Sequence, residues 1–285
     1  DYTTDKVACH KYATPGNKTV KLTVADANGC VDTATTNIQI LSIPTADFQW
    51  QAVCQATPMA LINQSVQGSG ALQSCLWIFH DGSFNNSCNT NKVFTVGGDY
   101  PVSFVAVDVF GCSDTVSKMV HVDVPTQLDV NAGDTTICKG ELVAYNVQGV
   151  FSQIEWKPAT YVSNPTEANV VINPSSSIKY IVEAKNGACK PVFDTLKVDV
   201  IQQVPLAVSA APDKVLLGVN TNITAEIGGK IDSIIWSPSE GLDCYNCSNP
   251  KATPQATTTY YATIYYSMNG VTCTQTDSVS ITVFE

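Results

Sequence analysis

The residues with chemistry to offer are the cysteines. The chain of 285 residues holds 11 of them, and four occupy one recurring setting. It reads Asn28-Gly29-Cys30-Val31-Asp32-Thr33, then Phe110-Gly111-Cys112-Ser113-Asp114-Thr115, then Asn186-Gly187-Ala188-Cys189 with Asp194-Thr195, and finally Gly270-Val271-Thr272-Cys273 with Asp277-Ser278. The successive cysteines lie 82, 77 and 84 residues apart, a period that marks tandem copies of one small domain. Thiols in such a frame point to disulfides of an oxidising compartment. The third copy holds only Cys138 and Cys189, one early and one late, which pairs them; by position Cys54 and Cys112 are the same pair in the second copy, leaving Cys75 with Cys88. Closing the loop of 51 residues from Cys138 to Cys189 is worth about 4 kcal/mol in the chain-entropy treatment. Cys9 and Cys30 align with Cys88 and Cys112; their expected partners lie upstream of residue 1, unless the two join each other. In the fourth copy Cys244 and Cys247 form a C-x-x-C, open to three readings: a loop-closing disulfide, a redox dithiol or half a zinc site. The Asn246-Cys247-Ser248-Asn249-Pro250 setting reads as loop, and the three histidines, His10, His80 and His121, belong to other copies, which favours the disulfide. Cys273 is then odd, either buried and free or paired between chains.

These residues must be positioned by β-strands. Alternate apolar residues mark Val20-Lys21-Leu22-Thr23-Val24, Tyr100 to Ala106, Tyr180-Ile181-Val182-Glu183-Ala184 and Tyr260-Tyr261-Ala262-Thr263-Ile264, the pattern of half-buried antiparallel strands. A further strand is expected after each Asp-Thr or Asp-Ser, at 35–41, 116–124, 196–201 and 279–284. Trp77, Trp156 and Trp236 recur at intervals of 79 and 80 residues with alternating flanks, as expected of a core tryptophan in a two-sheet sandwich. Pro44, Pro125 and Pro205 fall 81 and 80 residues apart at the joints and stiffen them. The expectation is an all-β chain of tandem β-sandwich repeats strung as an elongated rod, with copies at 1–42, 43–124, 125–203 and 204–285, the first of them partial.

Composition narrows the class. With 15 Lys+Arg against 25 Asp+Glu the formal charge is −10, and the scattered cations argue against nucleic acid, which needs them clustered. No apolar run approaches the roughly 20 residues of a membrane helix. There is no basic-then-apolar signal segment, so a mature fragment or an interior piece is expected. Only 14% of residues are charged, which with the many cysteines fits a secreted protein.

A family resemblance rests on particular residues. His10-Lys11-Tyr12 with Pro15-Gly16, the strand that follows, Gly29-Cys30 and the turn Phe79-His80-Asp81-Gly82 make the first two copies resemble polycystic-kidney-disease-type (PKD) repeats; His80 stands where their Phe-Gly-Asp-Gly turn has glycine. Trp236-Ser237-Pro238, Gly241-Leu242, Cys244 to Cys247, Pro250, Pro254, Thr257 to Tyr260 and Thr276-Asp277-Ser278-Val279 make the last two similar to immunoglobulin-like repeats of Bacteroidetes surface proteins. The resemblance implies a cell-surface adhesin, of the kind used in gliding motility and exported by type IX secretion, with the secretion machinery and surface polysaccharide or protein ligands as partners. It also implies a candidate O-glycosylation pattern, Asp followed by Ser or Thr and then an apolar or Thr residue. That pattern is met at Thr33, Thr115, Thr135, Thr195, Ser233 and Ser278, of which Thr33, Thr115, Thr195 and Ser278 are the best placed. The bland reading keeps those aspartates structural, accepting backbone N–H bonds at a turn.

Other candidates are weaker. Asn17, Asn63, Asn85, Asn222 and Asn246 satisfy N-x-[ST], a sequon read by different machinery. Asp26 and Asp108 read as structural members of the Gly-Cys turns. Asp47, Asp123 and Asp213 lie near joints, where an isolated calcium would be sought, although no D-x-[DN]-x-[DN]-G run exists. No nucleophile motif, zinc motif or phosphate loop occurs, so neither a catalytic residue nor a cofactor is expected. Tyr261 and Tyr265 point outward if Tyr260, Ala262 and Ile264 face the core, and Trp50 stands outside the tryptophan register; these three aromatics are candidate ligand-facing residues, or else cross-strand packing. The expected function is a surface-exposed stalk or adhesive segment of a large bacterial protein. The alternative is a carbohydrate- or protein-binding accessory array attached to a secreted enzyme.

Overall fold

The computed structural model describes residues 7–130 and 133–285, and every regular element among them is a β-strand. The first copy contributes one hairpin, β1 (Gly16–Ala25) and β2 (Val31–Ile40). The second contains β3 (Phe48–Trp50), β4 (Val53–Cys54), β5 (Pro58–Asn63), β6 (Leu72–Phe79), β7 (Phe84–Asn85), β8 (Thr90–Val93), β9 (Gly98–Asp108) and β10 (Ser113–Asp123). In the third are β11 (Gln127–Val130), β12 (Thr135–Cys138), β13 (Val143–Val150), β14 (Gln153–Lys157), β15 (Asn169–Ile172), β16 (Ile178–Lys185) and β17 (Val192–Ile201). The fourth has β18 (Leu206–Ala211), β19 (Lys214–Leu216), β20 (Thr221–Ile227), β21 (Ser233–Ser237), β22 (Lys251–Ala252), β23 (Thr258–Met268) and β24 (Val271–Phe284).

Each of the last three copies packs one sheet on another. The orders are β3-β5-β8 against β4-β10-β9-β6-β7, β11-β13-β15 against β12-β17-β16-β14, and β18-β20-β22 against β19-β24-β23-β21. Period-two alternation drives the packing: Val102, Phe104 and Ala106 on β9 are fully buried against Phe48, Met59 and Leu61 of the facing sheet, while the residues between them turn outward. Burying each such side chain contributes roughly 1.5–3 kcal/mol. Trp77, Trp156 and Trp236 lie at the centres of the three cores. Each indole N–H finds a main-chain carbonyl across a short loop, at Ser87 (2.8 Å), Glu167 (3.1 Å) and Cys247 (2.8 Å), so a large ring is buried without losing its hydrogen bond.

Two features differ from the alternation pattern. The last strands begin earlier than expected, at Val31, Ser113, Val192 and Val271, so each Asp-Thr or Asp-Ser lies within a strand and not in a turn before it. Each of the last three copies also sends a short early segment across to the other sheet, where it runs parallel to the final strand: β4 beside β10, β12 beside β17, β19 beside β24.

By its internal contacts the chain divides into two compact units. One comprises 1–125 with the turn 186–190, the other 126–185 with 191–285.

Candidate functional site

The Gly-Cys turns are built by carboxylates. Asp108 Oδ1 accepts the N–H groups of Phe110 (2.9 Å) and Cys112 (2.8 Å), and the Asp108 N–H bonds back to the Cys112 carbonyl at 2.9 Å. Asp26 repeats the arrangement with Asn28 (2.8 Å) and Cys30 (2.9 Å); the N–H groups of Cys30 and Asn28 hold its carboxyl below the usual range. Gly111 sits in the left-handed region at φ 79°, which glycine adopts without strain. In the third copy no aspartate precedes the turn, and Asp123 supplies the carboxylate: its Oδ2 accepts the Ala188 N–H at 2.8 Å. A Cβ on Gly187 would fall 2.3 Å from that carboxylate, so the turn closes on Asp123 only because residue 187 has none.

The cysteines that these turns present are not bonded as expected. Cys54 pairs with Cys189, not Cys112, and Cys138 pairs with Cys273, not Cys189. The Cα separations are 4.7 and 5.7 Å, and both bonds span 135 residues of sequence. The reason is strand length. Cys54 lies beside Asp123 at the far end of β10, whereas Cys112 directly precedes Ser113 at its start; an extended strand of 11 residues separates its ends by roughly 35 Å, against less than about 7 Å for a disulfide. Cys138 stands beside Ile201, the last residue of β17, whose first residue is Val192, so the same argument removes Cys138–Cys189. Early cysteine and late turn belong to opposite ends of a copy, and each early cysteine therefore takes the late cysteine of the copy that follows. Cys273 is thus bonded, and Cys112 joins Cys9 and Cys30 as a free thiol. Cys75–Cys88 and Cys244–Cys247 are both bonded.

In the unit that holds it, the Cys138–Cys273 junction has further contacts. Asn269 Nδ2 donates to Thr136 Oγ1 at 3.2 Å, and Gln203 bonds Gln275. Ile201 and the half-buried Cys138 pack into the core built around Trp236. In the fourth copy Leu216 takes the early position: it lies beside Phe284 as Cys54 does beside Asp123 and Cys138 beside Ile201. The following N–H groups, of Leu217, Gln55 and Lys139, bond to those same three partners. The succession of staples stops there.

No family model matches the chain, and no curated protein does. Among solved structures it is similar to the PKD1 domain of Vibrio anguillarum Epp, at 26% identity over 30% of this chain and 99% of that one, with TM-score 0.28. It is also similar to the PKD1 domain of the Vibrio cholerae metalloprotease PrtV, at 27% over 28% and 98%, TM-score 0.27. Three immunoglobulin domains of titin align at 14% identity over 86% and 99%, TM-score 0.46.

The remaining candidates of these tandem sandwiches have plain surroundings. Thr33, Thr115, Thr195 and Ser278 are all exposed, each on a final strand directly after an aspartate. Two of those aspartates tie one sheet to the other, since Asp114 Oδ2 accepts the Ala46 N–H and Asp277 Oδ2 the Val208 N–H, both at 2.8 Å. Tyr261 is exposed and Tyr265 half-buried on the outer side of β23; Tyr261 is flanked by Ser237 and Ser278, and Tyr265 by Ser233 and Thr274. Trp50 is half-buried on β3, 5.8 Å from Phe48 by ring centroids, with Lys118 Nζ 6.0 Å over its ring, and it lines a shallow groove with Gln49, Pro58 and Ile62.

Near the joints, Asp47 Oδ1 meets Lys118 Nζ at 2.5 Å, and that ammonium, with the Phe48 N–H, holds its carboxyl below the ordinary value. Asp213 is exposed. Asp123 takes part in a cluster that sequence reasoning missed: His121 Nδ1 lies 2.7 Å from Asp99 Oδ1 and its Nε2 3.4 Å from Asp123 Oδ1. The Asp99 hydrogen bond, and then the charges of Asp99 and Asp123, raise the imidazole pKa. The alternation of β10 carried a signal, since it puts His121 on the outer face between two inward valines. Among the described residues no group of three or more His, Cys, Asp or Glu side chains is placed to hold a metal.

Proposed function

We propose that the chain is a repeat segment of a large bacterial cell-surface adhesin, a stalk or adhesive region exported by type IX secretion and used in surface attachment such as gliding. Tandem β-sandwiches carrying disulfides are characteristic of extracellular proteins, and the wider setting rests on the family resemblance of the repeats. The observation that carries a mechanical role is the pair of 135-residue disulfides from one copy to the next. Covalent ties from one copy to the next suit a load-bearing series of small domains. Each closes a loop worth about 5 kcal/mol in the chain-entropy treatment. Exposed Thr33, Thr115, Thr195 and Ser278 serve as glycan acceptors on this reading, and no residue takes a catalytic role.

The test is deletion of the segment from the host polypeptide in the source cells. Loss of attachment or gliding on a polysaccharide-coated surface, with the shortened protein still at the cell surface and glycans mapped on at least some of the four hydroxyl peptides of the parent, is the expected result. Unchanged attachment, with lost turnover of a polymeric substrate, would establish the accessory-array reading instead.

A further inference from the structure

The first copy and the second share their register. β1 pairs with β2 as β9 pairs with β10, Leu22 facing Ala34 as Phe104 faces Val116, and Val24 facing Asp32 as Ala106 faces Asp114. Their surroundings differ. Val102, Phe104 and Ala106 are 0% exposed, whereas Val20, Leu22 and Val24, the matching residues of the hairpin, are 37%, 60% and 52% exposed. The apolar face of β1–β2 is built for a core, and among the described residues none packs over it. In the second copy that cover is the early part of the same copy, through Phe48, Met59 and Leu61 of the facing sheet.

A second feature of the same unit needs the same piece. Cys112 is the late-turn cysteine of the second copy, half-buried and free. Its two counterparts, Cys189 and Cys273, are each bonded to the early cysteine of the copy before. The early cysteine that this rule assigns to Cys112 belongs to the first copy, on the segment that would cover the hairpin.

From these we infer that the uncovered face of β1–β2 and the thiol of Cys112 form one docking surface. Its occupant is a half-sandwich of the same repeat type, in the same polypeptide, carrying a cysteine where the second copy has Cys54. An in-chain source follows from the other two staples, both of which join cysteines of one chain. In forming the bond the two thiols give up two protons and two electrons to a disulfide oxidant, a small disulfide or a disulfide oxidoreductase, which leaves as the dithiol.

The experiment is non-reducing peptide mapping of the native polypeptide from its source cells, beside hydrogen exchange on the same sample and on the 285-residue chain alone. The expected map joins the Cys112 peptide to a cysteine peptide that lies outside this sequence and stays with the same polypeptide after reduction. The expected exchange is slow at Val20, Leu22 and Val24 in the native protein and at least about tenfold faster in the short chain. Cys112 found as a free thiol, or joined to Cys9 or Cys30, overturns the inference, as does a partner peptide from a separate polypeptide. Equal exchange of the hairpin in both samples overturns it independently of the disulfide map.

Discussion

His121 shows how much of this molecule is decided by single residues. Held between Asp99 and Asp123, its imidazole is charged more readily than usual, and Asp123 is also the carboxylate that receives the turn carrying Cys189. A raised folded-state pKa makes the histidine's contribution complete below its unfolded value of about 6.5 and lost as pH climbs through the folded one. The unit containing residues 1–125 is therefore expected to melt at lower temperature as pH rises from about 6 to about 9. His121 and Asp99 are largely exposed, so salt weakens the trend. Differential scanning fluorimetry of His121→Asn across that range should give a flatter profile than the parent; an unchanged slope would exclude His121 as its source. At this scale the sequence was a partial guide. Buried Trp77, Trp156 and Trp236 and outward Tyr261 follow from alternation. The partner of a cysteine does not. With an early and a late cysteine in both the second and the third copy, pairing within a copy and pairing between copies fit the same spacing, and only strand length separates them.

At the scale of elements, the long hairpins β9–β10, β16–β17 and β23–β24 were legible because alternation runs through them. The short parallel segments β4, β12 and β19 were not: a strand of two to four residues leaves no period to read. Nor was the placing of the Asp-Thr pairs inside strands, since a carboxylate there is compatible with either a turn or a solvent face. The structure explains two of them as ties between sheets. Asp114 and Asp277 each accept the N–H of a residue on the opposing layer, a charge-assisted bond worth roughly 1.5–3 kcal/mol. Asp277→Ala is expected to lower urea-unfolding stability of its unit by about 1–3 kcal/mol. Asp194→Ala, whose carboxylate accepts from the N–H of its own neighbour Thr195, should cost less. Equal losses in the two variants would dissociate the tie from the second acceptor bond.

On the scale of the whole chain, the two staples overlap in sequence: one runs from Cys54 to Cys189, the other from Cys138 to Cys273. The shortest covalent route from end to end enters at Cys54, crosses to Cys189, doubles back to Cys138 and crosses again to Cys273. Limited proteolysis displays this directly. A single cut between residues 54 and 273 is expected to leave one band of unchanged mass on a non-reducing gel and two fragments after reduction. In Cys189→Ser a cut between Cys88 and Cys138 should release its fragments without reductant, whereas a cut between Cys189 and Cys273 should not. Release of fragments from the parent chain by one cut would refute the overlap. The tandem order was legible in the sequence because the period is written out several times; the overlap was not, because it depends on which end of a sandwich each cysteine occupies. Its consequence is redundancy of the backbone: from Cys54 to Cys273 no individual peptide bond is indispensable to continuity, and a protease must strike there twice before the chain parts.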